Sequence, residues 1–256
     1  MRYEISGTVM QTVSIDLDPG EVVYSQTKTM CWKNDAIEMS TNTGGGILAG
    51  IGRMFSGGSF FVTDFAARGN GHVAFAPRFP GTIMPLQLGA AQSVICRKET
   101  FLCAEKSVTL EVAWQKRMGA GFFGGQGFIL QKVSGPGTAF LDLSGEIVAR
   151  DLAPGERLLV HAGHVGTLEP SVQFDIQMMP GFKNILFGGE GLFLATVTGP
   201  GRVLLQSMPI LNLAEEIARY LPGQSGSAPA GNVGTTVGAA AVGGILGSLF
   251  GGRDNS

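Results

Sequence analysis

The chain repeats one pattern three times, and this repetition constrains its fold more than any other sequence feature. A phenylalanine close to a glycine pair opens an apolar run at Phe55, Phe123 and Phe187. Each run leads to a Gly-x-Gly turn, and the turns begin at residues 69, 135 and 199, which are 66 and 64 residues apart. A period of this size fits one small β-unit, so the repetition predicts three related β-units.

The first half of each unit carries a second shared pattern. Residues 17–23 (LDPGEVV) resemble residues 152–158 (LAPGERL), whereas residues 88–94 keep the apolar ends and lack the Pro-Gly pair. Residues 107–112 and 171–176 then alternate apolar with polar side chains. This alternation is typical of a strand with one buried face.

The Gly-Pro-Gly sequences at 135–137 and 199–201 predict type II turns. Proline fixes φ at the first corner, and the next glycine accepts the positive φ of the second. We expect each turn to end a β-hairpin. The predicted units cover residues 15–85, 86–150 and 151–209, and none is expected to be stable alone because each exposes an apolar sheet face.

The pattern changes after the third unit. A short closing helix is predicted over residues 212–221, where Asn212 and Glu215 match a capping box. Residues 1–223 are therefore expected to form a single β domain. A Gly, Ser, Ala and Pro linker over 224–232 precedes an apolar, glycine-rich tail over 233–256.

Composition and charge argue against several classes of function. The formal net charge is −2, with 20 acidic and 18 basic residues, so we expect no nucleic-acid partner. Three cysteines without a C-x-x-C pair favour neither a disulfide framework nor a zinc site and indicate a reducing compartment. The first residues lack the pattern of a signal peptide, so we expect a cytoplasmic protein, peripheral to the membrane where it meets one.

The residues most able to carry chemistry do not combine into a recognisable active site. Residues 119–124 match G-x-G-x-x-G, but they lead into a strand-like run rather than a helix, so we interpret them as part of the repeat. Cys96 and Cys103 lie near basic residues that can lower a thiol pKa. No partner base is evident, and we expect both cysteines to be structural.

His161 and His164 are three residues apart, which places them on opposite faces of a strand unless the chain turns at Gly163. No third ligand of the right type is nearby, so we expect exposed or turn histidines rather than a metal site. No G-x-S-x-G, H-E-x-x-H or Walker sequence is present. We therefore expect no catalytic residue, metal, cofactor or enzymatic turnover.

The phenylalanines beside the glycine-rich segments admit two interpretations. If a pseudo-threefold axis relates them, they form a ring of aromatic side chains that binds a partner. Alternatively they pack in the core beside a bulge, which we favour because aromatic residues bury large areas. The residues are Phe55, Phe122, Phe123 and Phe187.

Several of these motifs together resemble the altered inheritance of mitochondria protein 24 family over about residues 1–223. They are the Pro-Gly-Glu turn, the Phe-Gly-Gly-x-Gly strand starts, the Gly-Pro-Gly turns and the Leu-Ala-Glu helix that ends at 220–223. The family is similar in fold to the tryptophan RNA-binding attenuator protein, which implies three β-units in a pseudo-threefold, jelly-roll-like arrangement. Mitochondrial members are associated with inner-membrane organisation, and without a presequence this chain resembles the prokaryotic members. The family has no accepted catalytic motif, so the resemblance implies no active-site residue.

Two functions remain open at this point. The first is a non-enzymatic scaffold or interaction protein that forms a homo-oligomer and contacts a membrane or membrane protein. The second is a small-ligand-binding or RNA-binding regulator of the attenuator-protein type, which only the analogy of fold motivates. We expect the first, because a nucleic-acid binder should show a basic stripe.

The tail gives the first function its local support in the sequence. Its glycines fall four apart in two sets, so each set would line one face of a helix, and small residues at this spacing let helices approach closely in a membrane. Seven glycines within 233–252 oppose a stable helix in water. We expect a tail that is mobile in the isolated chain and mediates association with a membrane or partner. The two sets are Gly234 and Gly238, and Gly243, Gly247 and Gly251.

Overall fold

The computed structural model describes residues 1–26, 29–42, 62–116, 128–178 and 193–209, together with Leu213 and Ile217. Within these ranges the chain consists of nineteen β-strands joined by turns and two one-turn 3-10 helices. The predicted all-β fold class is therefore confirmed.

Three successive sets of six strands pair in the same way. In each set the first strand pairs with the sixth and the sixth with the third, while the second pairs with the fifth and the fifth with the fourth. The first set follows the N-terminal strand β1 (Arg2–Ser6), which pairs along the outer side of β2. Its strands are β2 (Thr12–Leu17), β3 (Val22–Gln26), β4 (Met30–Lys33), β5 (Ile37–Asn42), β6 (Val62–Ala67) and β7 (Gly71–Phe75).

The second and third sets have the same strand order. The second set consists of β8 (Gly81–Leu88), β9 (Ser93–Arg97), β10 (Phe101–Glu105), β11 (Thr109–Lys116), β12 (Phe128–Ser134) and β13 (Gly137–Ser144). The third set consists of β14 (Ile147–Leu152), β15 (Arg157–His161), β16 (Val165–Leu168), β17 (Gln173–Met178), β18 (Phe193–Thr198) and β19 (Gly201–Gln206).

Two joints connect the sets into four antiparallel sheets. At the first joint β3 pairs with β10, and at the second joint β9 pairs with β16. Each joint fuses half of one set with half of the next into a six-stranded sheet. Within the described residues β4 and β15 have no partner on their outer sides, and we call them the end strands. The sheets run β1-β2-β7-β4, β5-β6-β3-β10-β13-β8, β11-β12-β9-β16-β19-β14 and β15-β18-β17.

Each set encloses a hydrophobic core between its two halves. Val13, Ile15 and Phe65 belong to the first core, to which the second set adds Phe140. Full burial of such a side chain stabilises the fold by about 1.5–3 kcal/mol. The second core includes residues of the first set, and the third core includes residues of the second set. Each set therefore depends on a neighbouring set for part of its core.

One turn recurs between the first and second strands of every set. In the first set the Asp18 N–H donates to the Glu21 carboxylate, and the Glu21 N–H donates to the Asp18 carbonyl. Ala153 and Glu156 make the same two bonds in the third set, as a Pro-Gly-Glu sequence favours. The middle set makes this turn with Gly89 and Gln92, without a Pro-Gly pair.

The Gly-Pro-Gly turns agree with the sequence prediction in part. Gly137 and Gly201 take the predicted positive φ, of 132° and 139°, and the Gly–Pro bonds of both turns are cis. The turns do not end hairpins, since β12 and β13 lie in different sheets, as do β18 and β19. The physical reason is that each core lies between two sheets, and the chain crosses from one to the other at this turn. A Cβ atom at Gly135 or Gly199 would collide with backbone carbonyls at the end of the first strand of the same set, β8 or β14.

Other predictions are only partly covered by the described residues. The predicted unit boundaries at 15, 86 and 151 fall inside β2, β8 and β14. The prediction begins each unit close to the first turn motif, whereas the first strand of each set lies before that turn. Within the predicted helix 212–221, Leu213 and Ile217 are the described positions and both are helical. The extent of that helix stays a prediction.

Candidate interaction surfaces

Comparison of the third strands of the three sets identifies an exposed apolar side chain on β4. β10 and β16 lie between two neighbours, and there Cys103 and Thr167 are 0% and 3% exposed. Trp32 occupies the same ladder position on β4, opposite Ala74 of β7. Its exposure is 48%, because β4 has a neighbour on one side only.

A row of hydrogen bonds orients the exposed Trp32 ring. Its Nε1 lies 3.2 Å from Nε2 of His72, whose Nδ1 lies 2.8 Å from Oδ1 of Asp16. The indole N–H can only donate, so the His72 Nε2 accepts and its Nδ1–H donates to the carboxylate. The ring is thus held in one orientation, and a pre-oriented aromatic side chain is well suited to anchor an interface.

The second strand of each set shows the same contrast at the other end of the molecule. On β3 the ring of Tyr24 is 7% exposed, and its hydroxyl donates to the carbonyl of Val108 over 2.9 Å. Ile95 of β9 is half-buried at the second joint. Leu159 occupies this position on β15, opposite Thr196, and is 63% exposed.

Sequence reasoning missed Trp32 and Leu159. The turn motifs align the sets at their glycines, but the exposure of a strand depends on whether another strand pairs with it. Comparison of the third strands, MCWK, FLCA and VGTL, gives the missing signal. It places a tryptophan where the other two strands carry Cys103 and Thr167.

A second surface is an apolar groove at the second joint, of about 930 Å³. The corresponding residues at the first joint are fully buried, because β1 covers them and the Tyr3 ring packs edge-on against Phe140 at 4.9 Å. Within the described residues nothing corresponds to β1 at the second joint. The residues of the second joint that correspond to the buried residues of the first are half-buried and line the groove. They are Met84, Leu86, Leu88, Ile147 and Leu204.

The rim of the groove is polar and already paired. Arg202 forms a two-point ion pair with Asp151, with nitrogen–oxygen distances of 2.7 and 3.1 Å. This hydrogen bonding holds the pKa of the Asp151 carboxyl below its usual value. The Arg202 N–H donates to the Glu169 carboxylate over 2.9 Å. The groove therefore offers an apolar surface rather than free charge.

The candidate nucleophiles lie inside the protein. Cys96 and Cys103 are buried, whereas Cys31 is exposed. Burial raises the pKa of Cys96 to about 12 and also raises that of Cys103, so both remain thiols at neutral pH. The thiol of Cys96 accepts a hydrogen bond from Gln131 over 3.6 Å.

His161 and His164 are brought together by a turn rather than separated along a strand. His161 ends β15, and the 3-10 helix Ala162–His164 places the two rings 5.7 Å apart. The His164 Nδ1 lies 2.8 Å from the carbonyl of Gln206. Burial, assisted by His164 and Arg97, lowers the pKa of His161. Within the described residues no group of three His, Cys, Asp or Glu side chains could hold a metal ion.

Several predicted positions lie outside the described residues. These include the aromatic candidates Phe55, Phe122, Phe123 and Phe187, the G-x-G-x-x-G sequence at 119–124, and the tail glycines Gly234, Gly238, Gly243, Gly247 and Gly251. Among the described residues, no helix has the length and apolar character required to cross a membrane.

These observations define a class: an all-β protein of three joined six-stranded sets, with an apolar groove at one joint and with end strands that, within the described residues, lack a partner on their outer sides. The family described as "Mitochondrial biogenesis AIM24" matches residues 3–208 of the sequence. The chain belongs to this family.

Two streptococcal proteins are similar to the chain. An uncharacterized protein of Streptococcus pyogenes serotype M6 is 32% identical over 234 residues, which cover 88% of this chain and 93% of the relative. An X-ray crystal structure of a Streptococcus pyogenes protein has a TM-score of 0.71 at 28% identity and covers 86% of this chain and 99% of the other. The similarity of sequence and fold thus extends over most of the chain.

Proposed function

We propose that the chain is a non-enzymatic scaffold or interaction protein that associates with copies of itself. One observation carries this proposal. The end strands β4 and β15 expose Trp32 and Leu159 at positions that the other sets cover with a neighbouring strand. An unpaired strand edge with exposed apolar side chains is a template for another strand.

The free edge of β8 carries a protection that the end strands lack. The first strand of the second set, β8, carries Pro85, which removes a backbone donor from its outer side. Neither β4 nor β15 contains a proline. The charge on β4, Lys33, folds back so that its Nζ donates to the carbonyl of Ile37 over 3.0 Å. The protection against edge pairing is therefore weak on β4, and on β15 it is limited to the exposed Arg157 at the start of the strand.

A membrane or membrane protein is the second partner in this proposal, and residues 233–256 form the contact. Its support is the uncharged, glycine-rich sequence of residues 233–252. The scaffold then assembles through its β body and meets the membrane through its tail.

Sedimentation velocity of the full-length protein tests self-association. We expect the mass to rise above 26.7 kDa as the concentration increases. Leu159→Lys should weaken the association at least tenfold, because it buries an unpaired charge at the interface. Met39→Lys is the matched control, since Met39 is also exposed, on an edge strand that lies away from both ends. A wild-type protein that keeps the mass of one chain at every concentration contradicts the proposal.

A second candidate function is small-ligand binding, and the groove at the second joint favours it. Its volume of about 930 Å³ lies within the range of ligand pockets, and its walls are apolar with a polar rim. Binding of an apolar dye in this groove is the test that separates this function from a purely structural one.

A further inference from the structure

We propose that the end strands join copy to copy, with β4 of one copy pairing antiparallel with β15 of the next. In this joint Trp32 lies opposite Val160, and Lys33 lies opposite Leu159. The inference rests on the proposed self-association and specifies the surface, the partner and the register. A second copy of this chain is the partner because it presents the strand that each end lacks.

The register follows from the two joints within the chain. At both joints the third strand of one set pairs with the second strand of the set before it, and the pairs fall at the same ladder positions. Trp32 has the position of Cys103 and Thr167 in its ladder, and Val160 has the position of Ser25 and Cys96. The pairs at the joints are Cys103 with Ser25, Ala104 with Tyr24, Thr167 with Cys96 and Leu168 with Ile95.

β4 has a register shift at the same place as the third strands that form the two joints within the chain. Its ladder to β7 shifts register between Met30 and Trp32. The joined strands β10 and β16 shift at the same step, between Phe101 and Cys103 and between Val165 and Thr167. A bulge sets the bend and twist of a strand. The edge that β4 presents therefore matches the edges that β3 and β9 accept.

The backbone groups of both end strands point toward the missing neighbour. The Asn34 N–H donates to the His72 carbonyl of β7 over 2.9 Å. Backbone N–H and C=O groups of successive residues in an antiparallel strand face opposite neighbours, so those of Lys33 face away from β7. On β15 the Gly199 N–H donates to the Glu156 carbonyl over 2.9 Å, so the carbonyl of Glu156 faces inward. Leu159 is three residues further along, and by the same alternation its backbone N–H and C=O groups face outward. Lys33 and Leu159 can thus exchange hydrogen bonds, as the proposed register requires.

A side chain at the end of each second strand supports the same joint. Gln26 donates to the Lys98 carbonyl over 2.6 Å at the first joint, and Arg97 donates to the Gly163 carbonyl over 2.9 Å at the second. His161 has this position on β15. Its Nδ1 is buried and has no hydrogen-bond partner within the described part of the chain. The contact that the other two side chains make across a joint is the one that His161 lacks.

The two end strands of one chain do not cover each other. Within the described residues β4 and β15 lie in different sheets and do not pair with each other, and Trp32 and Leu159 are 48% and 63% exposed. A contact between different surfaces of two copies is heterologous, and it leaves one end strand free on each copy. Assembly therefore continues until a ring closes or a fibre forms.

Two proline variants test the joint, each blocking one end. Lys33→Pro and Leu159→Pro each remove an outward N–H while leaving the inner ladder intact. The fold tolerates such a residue, since Pro85 already lies on the outer side of β8. Ala149→Pro is the matched control, because Ala149 has the position of Pro85 on β14. All variants are made in the full chain, and their melting temperatures are compared with the wild type.

Each variant alone should sediment at the mass of one chain, because it lacks one of the two complementary ends. An equimolar mixture should form a dimer and nothing larger, since only one functional joint is available. Ala149→Pro should associate like the wild type. A variant that remains oligomeric alone, or a mixture that remains monomeric, overturns the inference even when the wild type associates. A wild type that never associates refutes the proposed function itself.

Disulfide formation gives an independent test that does not need proline. In a Cys31→Ser background, Lys33→Cys and Leu159→Cys are placed on separate chains and mixed under mild oxidation. Residues directly opposite on paired strands are within disulfide reach. We expect a cross-linked dimer in the mixture and none when Val148→Cys replaces Leu159→Cys. Equal cross-linking in both mixtures, or none in either, rejects the register.

Discussion

Asp142 is a half-buried residue whose carboxyl group lies in an environment that disfavours its charge. It lies on β13 opposite Ile83 of β8, and its Oδ1 is buried without a hydrogen-bond partner. Burial raises its pKa from 3.8 to about 7, although the charge of Arg78 partly opposes the shift. The folded protein therefore holds a proton on Asp142 that the unfolded chain releases above pH 4.

This shift predicts a loss of stability as the pH rises. Because the folded pKa is higher than the unfolded pKa, the free energy of unfolding falls between about pH 4 and pH 7 and then levels off. Asp142→Asn should remove this dependence and stabilise the protein at pH 8, by up to about 4 kcal/mol. Urea unfolding at pH 5 and pH 8 measures it, with the exposed Asp35→Asn as control. Equal destabilisation of wild type and Asp142→Asn across this range contradicts the assignment.

At the residue scale, the sequence indicated some of this chemistry and missed the rest. The structural role predicted for Cys96 and Cys103 agrees with their burial. The position of Asp142 could not be inferred, because an aspartate in an alternating strand gives no sign of which side its partner sheet covers. His161 and His164 were judged from strand geometry, which the 3-10 helix between them changes.

At the element scale, the N-terminal strand explains the groove. β1 pairs along β2 and lays Tyr3 on Phe140, which closes the first joint. Leu204 has the position of Phe140 at the second joint and lines the open groove. Within the part of the chain that the structure describes, the groove is thus the place where the second set has no counterpart of β1.

Dye fluorescence tests whether this groove binds apolar ligands. We expect 1-anilinonaphthalene-8-sulfonate to bind the native protein, and Leu86→Glu to reduce its fluorescence several-fold by placing a charge on the apolar wall. Tyr3→Ala should increase the signal, because it uncovers Phe140 at the first joint. Leu159→Glu lies outside the groove and should leave the groove signal in place. Fluorescence that Leu86→Glu does not change would show that the groove is not the binding site.

Local patterns predicted the turns better than the pairing of the strands. The turn at residues 17–23 recurs at 152–158, because its side-chain and backbone hydrogen bonds depend on a few adjacent residues. The Gly-Pro-Gly segments were correctly placed as turns, but their role as hairpins was wrong. Whether a turn stays within a sheet or crosses between two sheets depends on long-range packing, which neighbouring residues do not encode.

For the whole molecule, the repetition in the sequence corresponds to a strand pairing that recurs three times. The superposition of residues 15–85, 86–150 and 151–209 stays a prediction, as do the role of the tail and the cytoplasmic location. The repeat motifs do not locate the end strands, since every set carries these motifs, and the sequence signal at β4 is the tryptophan at position 32. A molecule built from a series of joined sets necessarily has two unmatched ends, unless its first and last sets meet.

Amide hydrogen exchange of the full-length protein, measured at low and high concentration, tests whether the end strands join one copy to the next. We expect exchange to slow at high concentration in β4 and β15, at Lys33 and Leu159 above all, because their outward N–H groups become hydrogen-bonded between copies. The outer edge of β8, at Gln87, should exchange at the same rate under both conditions. Exchange in β4 and β15 that is equally fast at both concentrations would contradict the claim that these strands join one copy to the next.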